Sequence, residues 1–97
     1  MEKQYWVYIV TDKPYGTLYV GVTSDLARRS TEHNTAQYDG FTKKYGLKRL
    51  VWCEEFSSPY EAIAAEKKIK KWKRIWKIDL IKKINPKWLD LYETING

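Results

Sequence analysis

Only one cysteine, Cys53, stands among the 97 residues, so no disulfide can close within the chain and no cysteine-based zinc site can be assembled. Cys53 reads as structural, and the sequence suits a reducing compartment. No signal-peptide pattern opens the chain, and no apolar run approaches the roughly 20 residues that span a bilayer. The expectation is a soluble, cytoplasmic protein with no membrane partner. Internal repeats, linkers and low-complexity tracts are missing too. What remains is a single domain over 1–97, with 1–4 and 94–97 expected to fray.

What is present is apolar and aromatic: 43% of residues are hydrophobic, 15% are aromatic, and there are five tryptophans. That composition argues for a packed core and against a disordered chain. The net charge is +6, and the segment 61–83 holds nine Lys or Arg against Glu61, Glu66 and Asp79, so it carries the whole excess. A localised basic excess suits a polyanion, DNA or RNA, because displaced counterions favour binding. A solvated lysine-rich helix face accounts for the same charge.

Residues 5–11 are apolar or aromatic on both alternations, which predicts a strand covered on both faces. DKPYG supplies a turn, and 17–22 resumes a β-branched and aromatic pattern, so a hairpin is expected. A four-residue loop over 12–15 would place Thr11 opposite Gly16 and Tyr8 opposite Tyr19, on one face. Gly21, late in the second strand, marks a bulge or a close backbone approach. Ser24 as N-cap and Asp25 in the first turn predict a helix over 25–34. Leu26, Arg29, Ser30 and His33 share one face of it, so a core-facing Leu26 takes Arg29 and His33 inward.

The stretch 35–46 reads as a loop anchored by Phe41 and Tyr45, and 47–56 as a third strand, wetter on one face at its end. Ser58 as N-cap, Pro59 at the first helical position and Glu61 three residues after the cap begin a helix that runs to about Trp72. Its apolar stripe is Ala62, Ala65, Ile69 and Trp72, and Glu66 falls at the border between that stripe and the lysines. A second helical pattern over 75–84 follows a break near Lys73 and Arg74 and stops at Asn85 and Pro86. In the tail, Trp88, Leu89 and Tyr92 are expected to pack onto the body. The fold class is α+β: a small antiparallel three-stranded sheet flanked by helices, in the order β-β-α-β-α-α.

Five side chains in this frame carry chemistry. An inward arginine, Arg29, offers a rigid fork for phosphate oxygens. His33, one turn away, can relay a proton near neutral pH, and Glu66 can hold a magnesium ion that keeps most of its waters. With Tyr8 and Tyr19 they would suit metal-assisted hydrolysis of a phosphodiester. Duller readings exist for each. Tyr8 and Tyr19 serve as strand aromatics, Arg29 pairs with Glu32 or Asp25, His33 meets carbonyls at its helix end, and Glu66 pairs with Lys70 one turn on.

The combination resembles the GIY-YIG nuclease superfamily, and most closely its small single-domain bacterial members. Trp6, Val7 and Tyr8 stand at the first motif, and Tyr19, Val20 and Gly21 at the second. Arg29 follows ten residues beyond Tyr19, His33 comes one turn later, and Glu66 in AIAAEKKIKKW matches the acidic metal ligand.

The resemblance implies a metal-dependent endonuclease acting on DNA in repair or processing, with one divalent ion, Mg2+ or Mn2+, held by Glu66. It implies that Tyr8 or His33 is the base, that Arg29 stabilises transition-state charge, and that Tyr19 positions a phosphate oxygen. Two positions depart from the pattern: Trp6 replaces the glycine of the first motif, and Val22 stands where nucleotide-excision-repair relatives carry a lysine. Some members carry an asparagine after the metal ligand. Asn85 is the nearby candidate, at an unmatched spacing.

Lys67, Lys68, Lys70, Lys71, Lys73, Arg74 and Lys77 would track phosphates of DNA, branched or single-stranded, or of RNA. Trp72 and Trp76 are expected in the core, with stacking on unpaired bases as their other use. A protein partner is expected to supply specificity. The alternative function is a nucleic-acid-binding module that keeps the scaffold with little or no catalysis, and an acidic protein partner is a third.

Overall fold

The structure is a computed structural model, and it describes residues 4–26, 28 and 46–96. Its elements there are β1 (Tyr5–Thr11), β2 (Leu18–Thr23), β3 (Arg49–Phe56), α1 (Pro59–Lys71), α2 (Arg74–Ile84) and α3 (Tyr92–Asn96). The strands form one antiparallel sheet in the order β2-β1-β3, so the doubly apolar β1 is central, as its composition requires. One face of the sheet, with Val7, Ile9 and Val20, packs under Ala62 and Ile69 of α1, Ile78 and Ile81 of α2, and Trp88. Tyr8, Val10 and Leu50 on the other face pack with Leu26, Leu47 and Tyr92.

The hairpin register differs by two from the expected one: Thr11 pairs with Leu18, Val10 with Tyr19, and Tyr8 with Gly21. The connection is longer because side chains of the first strand's end organise it. Thr11 Oγ1 donates to the Lys13 carbonyl at 2.8 Å, and the Thr17 N–H donates to Asp12 Oδ1 at 2.9 Å. A shift of two preserves the face, so Tyr8 and Tyr19 still look out on the same side.

The β1–β3 ladder carries an irregularity that the pattern did not signal. Ile9 pairs with Trp52 but Val10 with Leu50, leaving Val51 as an extra residue. Its carbonyl accepts from Asn85 Nδ2 at 3.1 Å. The same amide donates to the Leu89 carbonyl at 2.9 Å, and its oxygen accepts from the Leu89 N–H at 2.9 Å. Asn85, only 4% exposed, therefore joins the end of α2 to the bulge and the tail, and is not a companion of Glu66. The tail then covers the outer edge of β3. Leu91 donates to the Leu50 carbonyl at 2.8 Å, and the Leu50 N–H donates to Asp90 Oδ1 at 3.2 Å. A sheet edge that would otherwise offer open backbone groups is closed.

After β2 the described residues Leu26 and Arg28 are helical, and Asp25 makes the capping bond expected of Ser24: Asp25 Oδ1 accepts from the Arg28 N–H at 3.0 Å, with Leu26 buried. At α1, Ser58 stands at the expected N-cap position with an extended backbone but makes no side-chain capping bond. The break between α1 and α2 falls where expected, with Trp72 and Lys73 both extended. Trp72 packs half-buried against the core, whereas Trp76 is 52% exposed and meets it edge-on at 6.2 Å. The expectation that both would be core residues fails for Trp76. In the tail, Trp88 and Tyr92 are buried and Leu89 is exposed.

Candidate active site

Tyr8 is 1% exposed, and it faces Gly21 across the hairpin. A Cβ on Gly21 would lie 2.5 Å from both Cζ and the hydroxyl oxygen of Tyr8, so the phenol lies across the glycine with its hydroxyl end over β2. The glycine does mark a close approach, but a side chain makes it where a backbone approach or a bulge was expected. Tyr19, half-buried, stands two residues before Gly21 on the same face.

Helix α1 runs beside β2 in the opposite direction, and three contacts place it. Ile63 and Pro59 share a shallow apolar cavity of about 220 Å³ with Tyr5, Val22, Thr23 and Ser24. One turn past Glu66, the Lys70 ammonium lies 5.6 Å from the centroid of the Tyr19 ring. Beyond the end of α1, Arg74 Nη2 donates to the carbonyls of Tyr15 (2.5 Å) and Gly16 (2.7 Å) in the hairpin loop. Glu66 thus falls between the Val22 and Tyr19 levels of the strand.

Glu66 is more deeply placed than a residue at the border of a stripe: it is 8% exposed on a helix otherwise rich in solvated lysines. Its Oε1 is 2.8 Å from Lys70 Nζ. The one-turn ion pair expected from the sequence is therefore made, by a buried carboxylate and an ammonium that also reaches the second motif's tyrosine. Among the described residues no group of three or more His, Cys, Asp or Glu is arranged to hold a metal ion. The donor set is a single carboxylate, which fits a hard cation that keeps most of its own waters and does not fit a fully protein-ligated metal.

Arg29 and His33, with Phe41 and Tyr45 of the expected loop, lie outside the described residues. The structure brings Tyr8, Gly21, Tyr19, Lys70 and Glu66 into one connected group. Of the expected phosphate contacts, Lys67, Lys68, Lys71 and Lys73 are exposed. Arg74 is committed to the hairpin loop. Lys77 is half-buried, its pKa lowered first by desolvation and then by the Arg74 charge. Cys53 is half-buried with its thiol pKa raised by burial, in keeping with a structural role. Sequence reasoning missed the link from Lys70 to Tyr19, although its place one turn after Glu66 was the available signal.

A family model described as the GIY-YIG catalytic domain matches residues 4–79, which span the hairpin, α1 and the first half of α2. The chain belongs to the GIY-YIG family. Among its GIY-YIG relatives, a UPF0213 protein of Staphylococcus saprophyticus is 38% identical over 81 residues, covering 84% of this chain and 96% of the relative. Another, from Streptococcus agalactiae, is 39% identical over 67 residues, covering 69% and 76%. The solution NMR structure of a UPF0213 protein from Bacillus halodurans superimposes with a TM-score of 0.56 at 29% identity, covering 90% of this chain and 92% of that one. Membership places the chain in a nuclease family and implies a nucleic-acid substrate. No helix among the described residues is long and apolar enough to cross a membrane.

Proposed function

We propose that this GIY-YIG chain is a metal-dependent endonuclease that hydrolyses phosphodiesters in DNA, in repair or processing. The observation that carries this reading is the buried Glu66, joined through Lys70 to Tyr19 on the face that Tyr8 also occupies. A carboxylate withdrawn from water and linked through Lys70 to the Tyr19 ring, with a lysine-rich ridge next to it, suits chemistry on an anionic substrate.

In this reading Glu66 would hold one divalent cation, Mg2+ or Mn2+, which when bound supplies positive charge to phosphate oxygens and lowers the pKa of water. Tyr8, or His33, takes a proton from the attacking water. A neutral phenol is a weak base, so Tyr8 in that role would draw on the positive charge of the cation or of Arg29. Tyr19 positions a phosphate oxygen, and Arg29 offers its fork to the charge that builds on the phosphoryl group. Lys67, Lys71 and Lys73 follow the backbone beside the cut, and the exposed Trp76 offers a ring to an unpaired base. A protein partner would select the site of cutting.

Purified protein with Mg2+ or Mn2+ is expected to cut at least one substrate in a panel of flaps, forks, single strands and duplexes. Glu66→Ala should reduce cleavage by about 100-fold or more, on the order expected for losing a catalytic charge, while binding stays within a few-fold. A panel left uncut under both metals overturns the reading. Binding without cleavage is the second reading, and one observation favours it: Val22 sits in an apolar cavity with Ile63 and Pro59 and contributes no charge to the site. It predicts salt-dependent binding that survives Tyr8→Phe, with no cut product under either metal.

A further inference from the structure

We propose that Lys70 is a positioning residue of this site: its ammonium holds the place of the divalent cation on Glu66 and must yield that carboxylate when the cation enters. The inference rests on the reading of Glu66 as metal ligand. Three observations support it. Glu66 is buried, and a buried carboxylate without a partner is costly, so the metal-free fold needs a cation at this point. Lys70 supplies it at 2.8 Å.

The two partners are unequally buried, the Lys70 side chain being 51% exposed against 10% for Glu66. Lys70 can therefore leave for water while the carboxylate stays in place. Its ammonium also lies 5.6 Å from the centroid of the Tyr19 ring, whose face attracts a cation. A divalent ion on Glu66 would stand within a few ångströms of the Lys70 ammonium, and the repulsion between these like charges in a partly buried site disfavours both being held at once. Metal entry and the Glu66–Lys70 contact therefore compete, and Lys70 sets the affinity of the site.

The test is calorimetric titration of Mn2+ into metal-free protein, without nucleic acid, for wild type, Lys70→Met, Lys70→Arg and Glu66→Gln, each checked for fold by circular dichroism. Lys70→Met keeps a long apolar stem on the Tyr19 ring and removes the charge, so it should bind Mn2+ about tenfold tighter, a coupling of ordinary size. Lys70→Arg keeps the competitor and should bind no more tightly than wild type. An unchanged or weakened affinity in Lys70→Met overturns the proposal and leaves the contact as a helix-stabilising pair. Glu66→Gln separates the two levels: it should lose Mn2+ binding. If it binds as wild type does, the ligand reading itself fails and this inference falls with it.

Discussion

Gly21 lacks a side chain where Tyr8 occupies the space one would need. The 2.5 Å separation between a Cβ at position 21 and the end of the Tyr8 ring is closer than atoms can pack, and the obstacle is a buried ring that cannot swing into water. Gly21→Ala should therefore displace the phenol and destabilise the protein by about 1–3 kcal/mol, the usual cost of overpacking a core. Urea unfolding measures it. In a Tyr8→Ala background the same substitution should cost much less, because the obstacle is gone. Equal costs in both backgrounds would mean that the glycine serves the strand and not the phenol. At this scale the sequence was legible wherever residue type and position spoke together: Gly21 as a close approach, Glu66 as the odd carboxylate beside a stripe. It was silent on side chains whose partners come from distant segments. Arg74 looked like one more phosphate-binding charge, yet it grips a loop 58 and 59 positions away.

Elements were read well where a periodic pattern ran uninterrupted and poorly where side chains rewrote the backbone. The bounds of β1 and the break before α2 followed from pattern alone, since a doubly apolar strand belongs at a sheet's centre. The hairpin register missed by two because the Asp12 and Thr11 side chains build a longer loop than its Pro and Gly suggest. Nothing local announces the Val51 bulge: no Gly or Pro marks it within Arg49–Phe56, and its supporting amide arrives from 34 positions on. Asn85→Ala removes the three bonds of that side chain and leaves the Val51 carbonyl and Leu89 N–H without this partner. A stability decrease of about 2–3 kcal/mol is expected for such buried groups, read as a lower urea midpoint. Mn2+ affinity should not change, because Asn85 acts on the β3 bulge and the tail. A change in affinity without a change in stability would make it a site residue after all.

For the molecule as a whole, the basic excess divides into charges that build the protein and charges that face outward. Composition cannot separate the two, because both are lysine and arginine in one segment. Lys70 is engaged with Glu66 and Arg74 with the hairpin loop, whose Tyr15 is held at φ 60° with its ring 4.8 Å from that of Trp88, itself at φ 56°. Two residues in the left-handed region in contact with each other need such support, since neither is glycine. Lys67, Lys71 and Lys73 are exposed, and they are the charges that should meet phosphates. Replacing those three by alanine should weaken DNA binding and lower the slope of log affinity against log salt by about 2–3, near ~0.9 for each duplex phosphate that is no longer neutralised. Arg74→Ala should lower the unfolding midpoint and leave that slope close to wild type. Fluorescence anisotropy across a salt series distinguishes the two classes. If Arg74→Ala changes the slope as much as a lysine does, its guanidinium leaves the loop to meet the substrate, and the hairpin loop must open when nucleic acid binds.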